Sequence, residues 1–245
     1  MKDWQALLLD SRGPSILELA KQAFSSTEKG YDLLAEKFDY TPYRTSDEIL
    51  GVVAKEMEDM PMWGTALDVC CGTGAMTEVL LDNTRDRVIG LDISQGMMDK
   101  ARENLSHHPA QAILEFVKGK ALHLPFENEV DVVTNFGGLG HIQNKDVPKF
   151  LQQVHKTLRQ GGQFIFVTSE HPSISSMAFW RAYSFNALIS IRNLLKSPPF
   201  VMYYLTFLLP KVKAQLEKQG FKVEIRENLF SHPFQSFKLV IATKN

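Results

Sequence analysis

The chain has 245 residues, a length that favours one α/β domain with an insertion over two small domains. Hydrophobic residues make up 44% of the sequence, which is normal for a soluble globular protein with a packed core. The formal net charge of −1 gives no global electrostatic reason to expect nucleic acid as a partner.

The cysteines and the first residues bear on the cellular compartment. The two cysteines, Cys70 and Cys71, are neighbours in the sequence, and adjacent cysteines are poorly placed for an ordinary disulfide. No Cys/His cluster has the spacing of zinc ligands, and the chain start has no apolar signal-peptide core. We therefore expect a cytoplasmic protein without a metal site.

The first sixty residues are predicted to be mainly helical. Residues 1–30 read as helix, because apolar residues recur at helical spacing after Pro14. Residues 31–44 form an aromatic and polar segment ahead of the first strand. Residues 45–59 predict a further helix, which Ser46 caps.

The central motif of the sequence lies in residues 65–81, which predict a strand, a glycine turn and the start of a helix. Gly72 and Gly74 lack a Cβ atom, so the turn can take positive φ and a ligand can approach its backbone. A second apolar strand, residues 87–92, ends in Asp92, 18 positions after Gly74. That spacing is close to the roughly 20 positions at which an acid reaches a ribose hydroxyl pair, so the motif predicts an adenosine-type cofactor.

The charge around the turn distinguishes between adenosine cofactors. Asp68 lies just ahead of the turn, where a carboxylate repels the pyrophosphate of a dinucleotide but suits a cationic ligand. Thr77 occupies the position of the third glycine in G-x-G-x-x-G. Both features favour S-adenosylmethionine, which carries ammonium and sulfonium charges and no phosphate, over a nicotinamide dinucleotide.

The sequences at residues 68–74 and 90–94 resemble the class I S-adenosylmethionine-dependent methyltransferase family. The resemblance extends over residues 31–168 and 210–244. It implies an α/β fold with a Rossmann-like seven-stranded sheet in the order 3-2-1-4-5-7-6. Strand 7 is antiparallel in that fold, and helices cover both faces of the sheet.

The domain organisation follows from the same resemblance. We predict a single methyltransferase domain over residues 1–245, with N-terminal helices and a lid in residues 1–60. A helical insert after strand 5, residues 169–209, is expected to cover the substrate. The other predicted elements are strands at residues 113–118, 130–135, 163–168, 221–225 and 236–242, and helices at residues 145–158 and 211–219.

The resemblance also assigns cofactor contacts. The lid would bring Tyr40 and Arg44 to the methionine end of the cofactor, with Arg44 holding the carboxylate. The alternative is that Tyr40 and Tyr43 only pack this segment and that Arg44 is solvated. The family's usual adenine-binding acid is replaced by Lys120, which cannot accept a hydrogen bond and leaves only the backbone nearby for adenine. The predicted cofactor-binding residues are Tyr40, Arg44, Asp68, Cys70, Gly72, Gly74, Asp92, Ile93, Met97, Ala121, Leu122, Asn135 and Phe136.

The remaining candidates follow the fourth and fifth predicted strands. Asn135, Phe136 and His141 come at the end of the fourth strand, and His171 comes after the fifth. Ligands of open parallel sheets lie at the carboxyl ends of strands near the topological switch, which places Asn135 and Phe136 on the cofactor side. His141 is the first titratable residue beyond that edge, and it either acts as a general base or packs the loop. His171, with Glu170 behind it, is the second candidate base.

Residues 169–209 depart from the family pattern, since they are long for a simple link and rich in large apolar side chains. The high content of apolar and aromatic side chains in this segment suggests an apolar or aromatic small-molecule acceptor. Two other partners fit the same composition, a membrane surface contacted peripherally and a second copy of the chain.

The predicted function is methyl transfer from S-adenosylmethionine to a small acceptor. One alternative is a catalytically silent cofactor-binding module with a regulatory or assembly role, which the lysine at position 120 leaves open. A less favoured alternative is a nicotinamide-dependent oxidoreductase. The sequence names neither the acceptor nor the atom that is methylated.

Overall fold

Seven strands form one sheet in the computed structural model, which describes residues 11–245. The strands are β1 Trp63–Val69, β2 Thr84–Asp92, β3 Ile113–Lys118, β4 Val130–Thr134, β5 Leu158–Ser169, β6 Phe221–Arg226 and β7 Phe237–Lys244. Their order is β3-β2-β1-β4-β5-β7-β6. The strands β1 to β5 pair in parallel, and β7 runs antiparallel to β5 and β6. The predicted fold class is therefore confirmed.

Eight α-helices lie within residues 11–245. They are α1 Ile16–Ala23, α2 Thr27–Leu34, α3 Asp47–Glu58, α4 Ala75–Asp82, α5 Gln95–Asn104, α6 Val147–Thr157, α7 Met177–Leu195 and α8 Lys211–Lys218. Short 3-10 helices at Ala35–Tyr40 and Leu139–His141 complete the regular structure. Helix α7 confirms that the segment after β5 is a helical insert. No helix in this part of the chain is long and apolar enough to cross a membrane.

The N-terminal region differs from the single helix predicted over residues 1–30. The first ten residues lie outside the described part of the chain, and the rest divides into α1 and α2. The break has a local cause, because the Ser26 hydroxyl accepts a hydrogen bond from the Lys29 N–H and caps a new helix. Ser15 caps α1 in the same way, through the Glu18 N–H.

Strand β5 begins five residues earlier than the predicted start at residue 163. Helix α6 ends at Thr157, and Leu158 already pairs with Val130 of β4. The Lys244 ammonium donates to the backbone carbonyls of His155 and Leu158, at 2.9 and 2.7 Å. The glycines at residues 161 and 162 therefore lie inside the strand instead of ending the helix.

The core consists of two apolar layers, one on each face of the sheet, because successive strand residues point to opposite faces. Leu67 packs in one layer and Ala66 in the other. An aromatic cluster fixes α6 on the sheet, with the Phe150 and Phe164 ring centroids 5.8 Å apart and both side chains fully buried. Phe207, from the end of the insert, joins this cluster at 5.8 Å from Phe150.

Replacing Phe150 by alanine tests this packing. The substitution leaves a cavity in a fully buried cluster, so the free energy of unfolding should fall by about 3–5 kcal/mol. The matched control is Leu188→Ala on α7, where the side chain is 65% exposed and the change should stay within about 0.5 kcal/mol. Urea unfolding of both variants measures the difference, and equal losses would contradict the described core.

Candidate functional site

A cavity of about 360 Å³ opens where the strands β1, β2 and β4 end. Its volume falls in the range of roughly 300–1,000 Å³ that is usual for small-molecule sites. The floor and walls come from the glycine turn, the end of β2, the start of α5 and the loops after β3 and β4. Ten predicted site residues line it: Arg44, Cys70, Gly72, Asp92, Ile93, Met97, Ala121, Leu122, Phe136 and His141.

The turn after β1 takes its shape from left-handed backbone positions. Cys70 has φ of 61°, although it is not glycine, and Gly74 has φ of 92° at the start of α4. Strained backbone of this kind costs free energy and persists where the surroundings hold it. The loop after β4 approaches this backbone closely, because a Cβ on Gly138 would lie only 2.5 Å from the Cβ of Cys70. The turn and the loop after β4 are thus in direct contact at the cavity.

The Asp92 carboxylate joins the two halves of the sequence motif. One of its oxygens accepts a hydrogen bond from the Gly72 N–H at 3.0 Å, and the other accepts from the Ser94 N–H at 2.9 Å. The side chain is 8% exposed and lines the cavity. Burial raises its pKa above the usual range, and the backbone donors oppose that shift by stabilising the charge. Asp92 therefore presents a fixed acceptor to a ligand in the cavity.

The N-terminal segment is held over the glycine turn by two further carboxylates. Asp32 accepts from the Ser94 hydroxyl at 2.6 Å and from the Gly96 N–H at 3.0 Å, at the N-terminus of α5. Asp39 accepts from the Thr73 hydroxyl at 2.5 Å. The segment from α2 through the 3-10 helix, which was predicted to be a lid, is consequently held against the glycine turn and the start of α5.

Two titratable side chains that line the cavity, Tyr31 and His141, are hydrogen-bonded to each other. The Tyr31 hydroxyl lies 2.9 Å from His141 Nε2, and His141 Nδ1 lies 2.5 Å from the Val201 carbonyl oxygen. Because a carbonyl only accepts, Nδ1 carries the proton, and Nε2 of the neutral ring accepts from the phenol. Burial lowers the pKa of His141, while the Val201 hydrogen bond raises it; burial and the nearby Asp92 charge raise the pKa of Tyr31. The imidazole is thus kept neutral and able to accept a proton.

Arg44 lines the cavity but already has carboxylate partners. Its guanidinium lies 2.6 Å from Asp47 and 3.4 Å from Asp39. Holding a ligand carboxylate there would mean sharing the guanidinium with these acids. Its predicted role at the methionine carboxylate remains a prediction.

Five predicted site residues are not among those that line this cavity, and three of them lie near the turn. Asp68 is fully buried and accepts from the hydroxyls of Thr77 and Thr134, at 2.8 and 2.9 Å. Gly74 instead lines a smaller polar cavity beside Arg44. Asn135 is fully buried, and its amide atoms have no hydrogen-bond partner. The expectation that the Asp68 carboxylate faces the ligand is thus corrected, because β1 turns its side chain towards α4 and β4.

The other two residues, Tyr40 and His171, have contacts outside the cavity. Tyr40 packs its ring against the Arg12 guanidinium, 4.4 Å away, instead of entering the cavity. His171 is exposed, and its ring centroid lies 5.6 Å from that of Phe179. His171 is therefore corrected as a candidate base, since it lies on the outer part of the insert and away from the cavity.

The cavity roof contains residues that the sequence did not single out. Thr27 and Tyr31 come from α2, and Val201 and Met202 come from the end of the insert. The Val201 N–H donates to the Thr27 hydroxyl at 2.9 Å, which joins the two segments. Residues 27 and 201 are far apart in the chain and belong to no motif, so only the fold brings them together.

Comparison with known proteins finds sequence similarity to methyltransferases. A family model described as a methyltransferase domain matches residues 66–162. The demethylmenaquinone methyltransferase of Desulfitobacterium hafniense is 26% identical over 190 residues, 76% of this chain and 73% of that protein. That of Symbiobacterium thermophilum is 30% identical over 179 residues, 69% and 62% of the two chains. The 2-phytyl-1,4-naphtoquinone methyltransferase of Thermosynechococcus vestitus is 31% identical over 128 residues, 51% and 55%.

Solved structures show the same fold at lower identity. DhpI, in complex with SAH, has a TM-score of 0.65 at 17% identity, covering 93% of this chain and 98% of that one. An O-methyltransferase family protein from Burkholderia thailandensis has a TM-score of 0.65 at 14% identity, covering 98% and 67%. These matches, the sheet order and the glycine turn make the chain similar to the class I S-adenosylmethionine-dependent methyltransferases, with the family match itself confined to residues 66–162.

The buried Asp68 carboxyl predicts a pH-dependent stability. Burial raises its pKa to about 7, although the two threonine hydroxyls oppose the shift. Between about pH 4 and 7 the folded state keeps a proton that the unfolded chain loses, so the free energy of unfolding should fall as pH rises through that window. Relative to an Asp68→Asn variant, the wild type should lose on the order of 4 kcal/mol. Urea unfolding from pH 4 to 8 measures this loss, and a constant difference would contradict it.

Proposed function

We propose that this methyltransferase transfers the methyl group of S-adenosylmethionine to an apolar aromatic molecule of the quinone class, in its reduced, hydroxyl-bearing form. The observation that carries the proposal is the cavity roof, where apolar side chains surround a single tyrosine–histidine pair. Phe136, Ile142 and Met202 supply walls that suit an aromatic ring. The names of the matched relatives specify quinones, one of them with a phytyl chain, which supports the same acceptor class.

The cofactor is proposed to occupy the side of the cavity next to the glycine turn. Asp92 would accept hydrogen bonds from the ribose hydroxyls, and the backbone of the turn would contact the methionine part. Ile93 and Met97 would enclose the adenine, with the backbone at Ala121 and Leu122 available for its polar edge. The cation at Lys120 also lines the cavity, so adenine selection would depend on backbone groups.

The proposed reaction needs little from the protein beyond alignment and proton removal. S-adenosylmethionine, held by Asp92 and the turn at Gly72, would supply an electrophilic methyl group; the acceptor's nucleophilic atom would bond to the methyl carbon as the carbon–sulfur bond breaks, with its electron pair left on sulfur. The acceptor hydroxyl proton passes to the Tyr31 oxygen as the tyrosine proton moves to His141 Nε2. Val201 accepts from Nδ1 and stabilises the imidazolium that forms. Removal of the hydroxyl proton would activate either the acceptor oxygen or a ring carbon for methylation.

The insert, residues 169–209, is proposed to contact the acceptor with one part and a partner outside the chain with another. Its returning segment, with Val201 and Met202, covers the acceptor side of the cavity. The outer face of α7 does not line the cavity and is proposed to contact a partner outside the chain, either a membrane surface or a second copy.

Replacing Asp92 by asparagine tests the cofactor site. The amide keeps the shape but loses the charge and one acceptor oxygen, so affinity for S-adenosylhomocysteine should fall at least about tenfold. Calorimetric titration measures it, with Asp99→Asn as the matched control, because Asp99 lies exposed on α5 away from the cavity. Wild-type affinity in Asp92→Asn, or NADH binding in place of S-adenosylhomocysteine, would contradict the assignment.

Tyr31→Phe and His141→Gln test proton removal, with methyl-labelled S-adenosylmethionine and a short-chain prenyl 1,4-naphthoquinol as the probe acceptor. Removing a general base should lower kcat by about 10²–10⁴-fold in His141→Gln, while affinity for S-adenosylhomocysteine stays near wild type. Burial lowers the pKa of His141. The midpoint of the acidic limb of the wild-type pH–rate profile should therefore lie at a lower pH than the pKa of an ordinary histidine. Unchanged kcat in both variants would exclude the pair as the proton acceptor.

A further inference from the structure

Helix α7 carries an exposed apolar stripe that the methyltransferase site does not use. Only one of its 19 residues, Ile189, is buried. At 100° per residue, five exposed apolar residues fall within an arc of about 80° along a helix roughly 28 Å long. This outer stripe consists of Met177, Trp180, Leu188, Ile191 and Leu195, between 52% and 82% exposed. Exposed patches of this kind mark an interaction surface.

The stripe continues onto helix α1. The Arg192 guanidinium donates to the backbone carbonyls of Ala23 and Ser25, at 2.8 and 2.7 Å, so the end of α7 lies against the end of α1. Phe24, 59% exposed, lies there with the Lys196 ammonium 5.3 Å from its ring centroid. The apolar surface therefore extends over two helices.

The charged side chains in the part of the insert that carries the stripe are all basic. Residues 171–209 contain three basic residues and no acidic residue, although the whole chain carries a net charge of −1. Lys21 on α1 and Lys196 at the end of α7 are both exposed beside the apolar surface. The nearby acid Glu18 is already paired with Lys37 at 2.8 Å. Apolar side chains flanked by lysines and arginines are typical of helices that lie in a membrane interface.

We propose that the outer stripe, with Phe24, docks the protein on the surface of an anionic phospholipid bilayer. The apolar side chains enter the boundary between headgroups and acyl chains, and the basic residues contact the lipid phosphates. A second copy of the chain fits the surface less well. A two-fold interface brings the same patch of each copy together, so the exposed cations Lys21 and Lys196 of one copy would approach those of the other.

The docking surface is connected to the cavity roof. The Asn193 amide donates to the Phe200 carbonyl and accepts from the Phe200 N–H, each at 2.9 Å. These bonds fix the chain that leads directly into Val201 and Met202 over the cavity. An acceptor with an aliphatic chain could therefore pass from the bilayer to the cavity beside this segment. Only this route rests on the proposed function; the docking itself does not.

Flotation with vesicles tests the docking. The protein should float with vesicles that contain phosphatidylglycerol and much less with pure phosphatidylcholine, and added salt should weaken the binding. Trp180 lies in the stripe, so its fluorescence should shift to shorter wavelength on binding, and a Trp180→Phe variant should lose that shift. The cofactor site is checked in the same samples by titration with S-adenosylhomocysteine, which should be unaffected.

Matched variants separate the apolar and charged parts. Leu188→Ser with Leu195→Ser removes two side chains of the stripe that are 65% and 82% exposed, so binding should fall at least about tenfold without loss of folding. Lys21→Gln with Lys196→Gln should lower binding about fivefold per charge. Ile113→Ser on β3, where the side chain is 63% exposed, is the control and should bind like wild type.

Three results would overturn the docking proposal. One is failure to bind anionic vesicles while S-adenosylhomocysteine still binds. A second is equal binding by the double serine variant and wild type. The third is a stable dimer in sedimentation that the double serine variant dissociates, which would assign the surface to a second copy. If vesicles bind but S-adenosylhomocysteine does not, the proposed function fails and the docking proposal stands.

Discussion

The Asp92 carboxylate is the interaction on which the cofactor side of the structure depends. It holds the glycine turn after β1 through Gly72 and the start of α5 through Ser94. These two segments belong to neighbouring parallel strands, and the shared acceptor fixes the gap between them. The acid sits there buried at an electrostatic cost, which two backbone donors offset in part. The lid then uses the same region, because Asp32 binds Ser94 and Gly96 beside it.

The sequence predicted the sheet, and the place of the cavity at the ends of its strands, for a physical reason. Alternating apolar strands, a glycine turn and a terminal acid are local patterns with fixed spacing, and they imply the same geometry wherever they occur. The strand order depended on the family resemblance, and the structure confirms it. The placement of Ile93 and Met97 at the cavity follows directly from their position after β2.

Side-chain direction and long-range contacts were harder to predict. Asp68 belongs to the right motif, but strand alternation turns its carboxylate towards Thr77 and Thr134. Tyr31 had no spacing signal, because its partner His141 lies 110 positions away and only the packed lid brings them together. His171 looked comparable to His141 in the sequence, yet one lies on the surface and the other in the roof.

The roof has a consequence for the order of events during turnover. It is assembled from two arms, α2 and the chain around Val201, which meet through the Thr27 hydroxyl and through the imidazole between Tyr31 and the Val201 carbonyl. A bulky molecule that passed between the arms would have to break these hydrogen bonds. The same change would separate the phenol from the imidazole, so the proposed proton transfer would be interrupted while the arms were apart. Passage between the arms and the proposed proton transfer would therefore exclude each other.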